Sequence, residues 1–340
     1  SSREHSVVAE RAAGIRLVIA ASFERIYRQN ADNLGLFTST EVTLVDRIAR
    51  GEAIDVDELL QGRDALAAAI LRHGGLLPYG QARMVSLPST AANAVAHDDR
   101  IAQAPQTLFD KIVARHAVAT ADTSANLAAG DGGFVRADFR FIHEYYTGMC
   151  GYLLDAAYGD ALALHEPESI LAFEDHLSYV HRSPVHVTNG LVANVRGLSE
   201  AHRTFVARHR LSHLGYQQPL AAGDAANTGS QGISHALMAE RFALPGALIV
   251  GTDSHTPHSG ALGCVAFGVG TTDMANAFVT GAVRITIPEV LRIECDGTLP
   301  AGVTAKDLVL YLLALPSLRA GAGVGKVFEF GGPGIAALGT

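Results

Sequence analysis

The stretch GTDSHTPHSG, residues 251–260, decides how the chain is read. It packs histidines, an aspartate and hydroxyl side chains between two glycines, directly after the apolar run Ala247–Val250 and ahead of the small-residue segment GALGCVAFGVG. A short apolar run that ends in proton-handling groups reads as a buried strand with chemistry at its carboxyl end. The pattern occurs twice more. FRFIHE ends at His143-Glu144, and ILAFEDH runs from Ile170 through Phe173 to Asp175-His176. Ligands of α/β sheets sit at the carboxyl ends of strands, so three such ends converging would make one site. An aspartate beside a histidine orients the imidazole and raises its basicity. Neighbours along a strand point to opposite faces, so the pairs Asp175–His176 and Asp253–His255 each require a turn.

Outward from these runs, the spacing predicts a strand over 15–19 and a helix over 23–29 capped by Ser22. A turn follows at Asn33 and Gly35, then a helix over 55–71. The Ala-rich polar stretch 87–106 reads as a linker, and TLFDKIVARHAV, from Thr107, as an amphipathic helix. The glycines of GALGCVAFGVG lack a following Gly-Lys-Ser/Thr and the G-x-G-x-x-G spacing. They are expected to allow close helix packing rather than to hold phosphate. On the residues alone, His235 reads as a satisfied core histidine and Ser1-Ser2-Arg3-Glu4-His5 as a charged chain end.

A length of 340 residues suits two domains. A 48% hydrophobic content supports a substantial core. The net charge of −8, with no long basic run, argues against nucleic-acid binding. Three scattered cysteines, Cys150, Cys264 and Cys295, form no C-x-x-C, so neither a zinc site of the usual spacing nor a disulfide framework is expected. Free thiols suit a reducing, cytoplasmic setting. The apolar piece 15–21 falls far short of the ~20 residues of a membrane span.

Taken together, five segments in order resemble the aconitase and isopropylmalate dehydratase family. They are TLFDKIVARHA with DFRFIHEYYTG, FEDHLSYVH, GSQGISHALMAERFALPG, GTDSHTPHSGALGCVAFGVG and KVFEFGGPGI. The N-terminal SSREHSVVAERAAGIRLVIAASFERIYRQNADNLGL resembles the later part of that family's swivelling domain, the small subunit of split dehydratases. Here it stands ahead of the large-subunit-like part, the reverse of ordinary aconitase. The resemblance implies a three-layer α/β/α catalytic unit preceded by a partial swivelling β/α domain. The expected divisions are a swivelling part at 1–85, a linker at 86–106 and a large-subunit-like region at 107–340.

The resemblance also implies a site. Ser1 is expected as the base that removes the carbon-bound proton, with Ser2 and Arg3 binding the substrate and Arg3 taking a carboxylate. Asp175 and His176 assist loss of the hydroxyl, His235 pairs with the carboxylate of Glu329, and Asp253, Ser254 and His255 handle substrate and water oxygens. His143 takes the place where dehydratases have His and aconitases Gln, and His258 replaces an aconitase-type Asn. The family's 4Fe–4S cluster is held by three cysteines after the Gly-Pro-Gly segment. None of the three cysteines here matches, so the ligands are expected beyond Thr340, in a missing remainder of the polypeptide. The implied reaction is loss of water from a hydroxy di- or tricarboxylic acid. Two other readings stand beside it: a mononuclear metallohydrolase on His176, His235, His255 and Asp253, and a non-catalytic binding protein that keeps the fold.

Overall fold

A computed structural model describes residues 4–84, 106–176, 185, 189–191, 195–214 and 233–338. The Ser1-Ser2-Arg3 motif and nearly all of the linker expected at 86–106 lie outside the described residues. The strands are β1 (Leu17–Ile19), β2 (Phe37–Ser39), β3 (Ala117–Val118), β4 (Gly132–Arg136), β5 (Phe139–His143), β6 (Ile170–Phe173), β7 (Ser212–Leu214), β8 (Leu248–Gly251), β9 (Val265–Gly268), β10 (Ala282–Thr286), β11 (Val290–Glu294) and β12 (Val327–Gly331).

Five of them make one parallel sheet in the order β7-β6-β5-β8-β9. The chain builds outward from β5 in one direction, then returns to the other side of β5 and builds the opposite way. The reversal falls between β5 and β8, and a sheet of this topology opens its ligand crevice at the carboxyl ends of the two strands flanking the reversal. Period-2 alternation sorts the apolar residues between the two faces. Ile142, Ala172, Leu248 and Val250 pack in a core with the helices Leu108–His116, Glu144–Tyr158, Val195–His209 and Thr271–Thr280. Phe141, Leu171, Phe173 and Ile249 pack on the other face with Leu237 and Met238 of the helix Ser234–Arg241. The chain is thus an α/β protein with helices on both faces of a parallel sheet.

Local chemistry revised several sequence expectations. The first helix after β1 runs Arg25–Asn33 and is entered from Glu24, not capped by Ser22. The helix expected over 55–71 is two, Val56–Leu59 and Ala65–Arg72. Gly62 turns the chain at φ +72°, and Asp64 restarts it by accepting the Ala67 N–H at 2.8 Å. The amphipathic helix after Thr107 forms as Leu108–His116, with a reciprocal Thr107–Asp110 capping box. The small residues of 260–270 build a turn and the edge strand β9, and they allow close helix packing as expected: a Cβ on Gly270 would come within 2.9 Å of Asn30 and of Glu4, each on a helix. Gly268 lies so close to the Asp253 carbonyl that a Cβ there would approach it to 2.7 Å.

Residues before and after the stretch 86–106 share one core. Leu66, Ile70, Leu76 and Tyr79 pack with Val118, Phe134 and Ala282 of the three-stranded antiparallel sheet β10-β4-β3. A buried polar network runs alongside. Glu4 accepts the Thr272 N–H at 3.1 Å and the Thr272 hydroxyl. Asn33 and Gln29 donate to Asp273 at 2.8 and 3.2 Å. Arg63 pairs with Asp32, and Arg284 donates to Asn33 at 3.1 Å and lies 3.6 Å from Asp32. Burial pushes the Asp32 carboxyl up and the Arg63 guanidinium down, so each charge loses more by leaving water than it regains from its partners.

Burial also pushes Asp273 up to about 7, against the pull of Arg284. An acid so raised holds a proton in the folded chain that the unfolded chain has released. Its contribution to stability therefore falls as pH rises between the ordinary carboxylate range and 7. Asp273→Asn, which stays neutral, is expected to gain on the wild type over that window. Urea unfolding at about pH 5 and about pH 7.5 checks this, and a gap between the two proteins that is flat with pH counts against it.

The last part of the chain carries exposed apolar surface. The helix Ala305–Ala314 has no buried residue and exposes Val309, Leu310, Tyr311 and Leu313. On either side of it in the sequence, β11 and β12 form a two-stranded parallel sheet of their own. Among the described residues no helix is long and apolar enough to cross a membrane.

Candidate active site

The carboxyl ends of β6, β5 and β8 stand side by side, and each contributes as the strand-end pattern predicts. β5 ends in His143, β6 leads into Asp175 and His176, and β8 leads into Thr252, Asp253, Ser254 and His255. Asp253, 7% exposed, is the hub. Its Oδ1 accepts from the His255 backbone N–H at 2.7 Å and faces His255 Nδ1 at 3.1 Å and His235 Nε2 at 3.2 Å. Its Oδ2 faces His176 Nε2 at 3.0 Å and His143 Nε2 at 4.0 Å.

His176 is held at both ends, because its Nδ1 lies 2.7 Å from Asp175 Oδ1. Asp175 Oδ2 in turn accepts the Ser234 N–H at 2.6 Å, which ties this strand end to the start of the helix that presents His235. The required turns are present: His176 sits in a bend after β6, and Asp253 begins the loop after β8. Thr256 closes that loop by donating its hydroxyl to the Asp253 carbonyl at 2.6 Å.

The electrostatics divide the imidazoles. The Asp175 hydrogen bond, against partial burial, holds His176 above the ordinary histidine range. Burial, then the charge of the neighbouring His176, pushes His143 down and keeps it neutral. The two rings are stacked, with centroids 3.9 Å apart and planes 10° apart, so protonating both at once is disfavoured. Burial also lowers His235. Burial opposes ionisation of Asp175, but the His176 and Ser234 bonds prevail and hold it down at about 2. Asp253 is likewise held low against burial, by the His255 N–H and by His235. The result is a carboxylate–imidazole–carboxylate chain whose central imidazole is biased toward its protonated form.

An open cavity of ≈ 590 Å³ lies beside His235 and His255 and is lined also by Ser254, Pro257 and His258 among others. His255 is largely exposed, with 80% of its side-chain surface accessible. Gly251, the last residue of β8, packs tightly against Phe141 and Thr256. A Cβ there would come within 2.3 Å of the Phe141 ring and 2.6 Å of Thr256 Oγ1. Gly251→Ala is therefore expected to cost about 1–3 kcal/mol through overpacking and to displace Asp253. Thermal unfolding that matches the wild type would count against this.

Not every expected residue arrives. Glu329 lies on β12, where its Oε1 accepts from Arg292 at 2.8 Å and its Oε2 accepts the Leu108 N–H at 2.9 Å. It binds the start of a helix, a favourable place for a carboxylate, and does not pair with His235. Asp253 fills that role because β8 is in the central sheet and β12 is not. His235, read from its residues as a core histidine, is half-buried and faces the carboxylate hub. Glu144 was legible only as part of a strand end. It is fully buried and accepts the Asp175 N–H at 3.3 Å, so it locks β6 to the start of the helix after β5. Ser1, Ser2 and Arg3 lie outside the described residues. The next residue but one, His5, makes a ring contact at 6.0 Å with Tyr146, which packs at 4.9 Å on His143.

The thiols do not suit an iron–sulfur cluster. Cys150 is fully buried among apolar side chains, and burial pushes its thiol up. Cys264 donates to the Leu244 carbonyl at 3.1 Å. The metal-capable groupings among the described residues are His143-Glu144-His176 and His235-Asp253-His255, nitrogen and oxygen donors throughout. The residues present do not fit a 4Fe–4S cluster.

Fold and site define an α/β protein with a cluster of carboxylate-held imidazoles at the reversal point of its parallel sheet. Sequence comparison places it more closely. A profile of the aconitase family (aconitate hydratase) matches residues 110–340, and one of the aconitase C-terminal domain matches residues 1–40. The chain belongs to the aconitase family. It is 34% identical over 238 residues, 69% of this chain and 46% of the relative, to the 3-isopropylmalate dehydratase large subunit of Roseiflexus castenholzii. To the protein of the same name from Syntrophus aciditrophicus it is 36% identical over 156 residues, covering 46% of this chain and 34% of the relative. The probable methanogen homoaconitase large subunit of Methanosarcina mazei is 47% identical over 109 residues, which cover 32% of this chain and 27% of that protein. The chain spans less than half the length of these curated relatives.

Proposed function

We propose that this chain supplies part of the active site of a hydro-lyase that removes water from a hydroxy di- or tricarboxylic acid. The observation that carries the reading is His176, braced between Asp175 and Asp253 at the sheet's reversal point and biased toward its protonated form. Dehydration breaks a C–H bond beside a carboxylate and a C–O bond, and leaves a C=C bond. In this reading Ser1 takes the proton from carbon, and Arg3, with Ser2, holds a carboxylate. His176 gives its proton to the departing hydroxyl, which leaves as water. Asp175 and Asp253 stabilise the imidazolium before transfer. Ser254 and His255 contact substrate oxygens from the cavity side. Glu329 acts on the position of a helix rather than on His235.

The family's reaction relies on a 4Fe–4S cluster, and no step is assigned to it because the residues described here offer no ligands. The remainder of the enzyme would have to supply them. The thiols, all unpaired, support a reducing, cytoplasmic setting.

The test is anaerobic assay of the complete enzyme with citrate, isopropylmalate, homocitrate and methyl-substituted analogues. Water loss is followed by ultraviolet absorbance of the unsaturated product. Turnover of one of them supports the reading. A cluster-loaded enzyme inert to all of them overturns it.

A further inference from the structure

The end of β6 leads into Asp175, and the residue before it, Glu174, is a buried carboxylate that the proton chemistry leaves unused. We propose that Glu174 and Arg203 are positioning residues, whose ion pair fixes the end of β6 and with it the direction in which Asp175 holds His176. The inference rests on the hydro-lyase reading for what that direction serves, though not for the geometry itself.

Successive side chains leave a strand on opposite faces. Glu174 turns to the helix Val195–His209, and Asp175 turns to the helix Ser234–Arg241. Arg203 grips Glu174 with two bonds, Nε to Oε2 and Nη2 to Oε1, each 2.9 Å. On the other face Asp175 Oδ2 accepts the Ser234 N–H at 2.6 Å, while Oδ1 faces His176 Nδ1 at 2.7 Å. Bonds on both faces oppose rotation of the strand end about its axis. The Glu174 N–H adds a bond to the Leu214 carbonyl at 3.4 Å, next to the β6–β7 pairing.

The pair is built for direction. A guanidinium and a carboxylate joined by two parallel bonds set angle as well as distance. Burial opposes ionisation of Glu174, but His213, with Nε2 3.5 Å from Oε2, and Arg203 prevail and hold its carboxyl down at about 2. The same helix also steadies the end of β5. His202, the residue before Arg203, is fully buried with Nδ1 2.8 Å from Thr147 Oγ1, and Thr147 donates to the His143 carbonyl at 3.0 Å. The route from Arg203 to His176 runs through Glu174 and Asp175.

The test is a titration of His176 in the 340-residue chain, followed by NMR of its ring C–H signal. The groups facing that ring are the carboxyls of Asp175, Asp253 and Glu144 and the rings of His143 and Tyr145. Asp175 raises His176 through their hydrogen bond, so loosening Asp175 lowers the titration midpoint. Glu174→Gln and Arg203→Met are both expected to move the midpoint to lower pH, by less than Asp175→Asn does. A through-space charge effect would instead move it down in Glu174→Gln and up in Arg203→Met. Arg203→Lys, which keeps the charge and loses the fork, should behave as Arg203→Met does. In an Asp175→Asn background Glu174→Gln should add no shift. In the complete enzyme the Glu174 and Arg203 variants are expected to lower kcat by up to about 100-fold, with a smaller change in KM. Arg203 has 42% of its side-chain surface exposed, so its variants keep the fold and carry the test where Glu174→Gln does not fold.

An unmoved midpoint in Glu174→Gln, Arg203→Met and Arg203→Lys overturns the proposal. So do shifts of opposite sign, a wild-type midpoint in Arg203→Lys, or an undiminished shift in the Asp175→Asn background. The titration involves no turnover. An enzyme inert to every acid overturns the hydro-lyase reading and leaves the positioning role decided by NMR.

Discussion

Arg284→Ala is expected to destabilise the chain by about 3–5 kcal/mol, the range for breaking a buried ion pair from one side. Arg284 is 4% exposed and stands where residues of the first 84 meet the rest. It donates to Asn33, lies near Asp32 and Asp64, and its charge is the largest influence opposing the upward push of burial on Asp273. Removing it leaves the Asp32 carboxylate with Arg63 as its close cation and leaves Asp273 still more strongly protonated. The loss comes from uncompensated charge rather than from the value of the pair itself. Arg284→Met, which refills the volume and leaves Asp32 paired with Arg63, should therefore recover only part of the lost stability. Chemical denaturation of the three proteins decides. A single variant within 1 kcal/mol of wild type, about what an exposed ion pair contributes, would mean that the network is solvated.

In the complete enzyme, His176→Asn is expected to lower kcat by about 10²–10⁴-fold, the usual worth of a positioned general acid, with a smaller change in KM. The pH profile separates this role from simple packing. Asp175 holds His176 above its ordinary range, chiefly through their hydrogen bond. The acid form is lost as pH rises through that raised value, which sets the alkaline limb. Asp175→Asn removes the carboxylate charge, so the alkaline limb should move to lower pH while substrate binding changes less. A variant with reduced kcat and an unmoved alkaline limb would show that Asp175 positions the strand end and does not tune the imidazole.

Much of the site was legible because its chemistry is local. Apolar runs ending at His143, at Asp175-His176 and after Val250 showed where strands stop and polar groups begin, and all three became adjacent strand ends. Helix boundaries were less legible. The pattern over 55–71 is apolar at helical spacing throughout, and only the positive φ of Gly62 and the cap at Asp64 divide it.

Of the partners of Asp253 only the neighbouring His255 followed from the local pattern, and the fate of Glu329 did not. Asp253 gathers His143, His176, His235 and His255 from four segments, while Glu329 goes to Arg292 and a helix start. The network of Asp32, Arg63, Asp273 and Arg284 likewise joins groups as much as 251 positions apart, such as Asn33 and Arg284.

By itself the sequence determined the family, the class of fold and the identity of the proton-handling groups, because hydrophobic period and residue chemistry are carried by neighbours along the chain. The tertiary structure alone decided that β5 and β8 lie side by side, that Asp253 rather than Glu329 serves His235, and that the first 84 residues share a core with the rest. Those outcomes depend on which strands pair and which charges are buried together. Such long-range choices are set by the packing free energy of the whole, and no single segment encodes them.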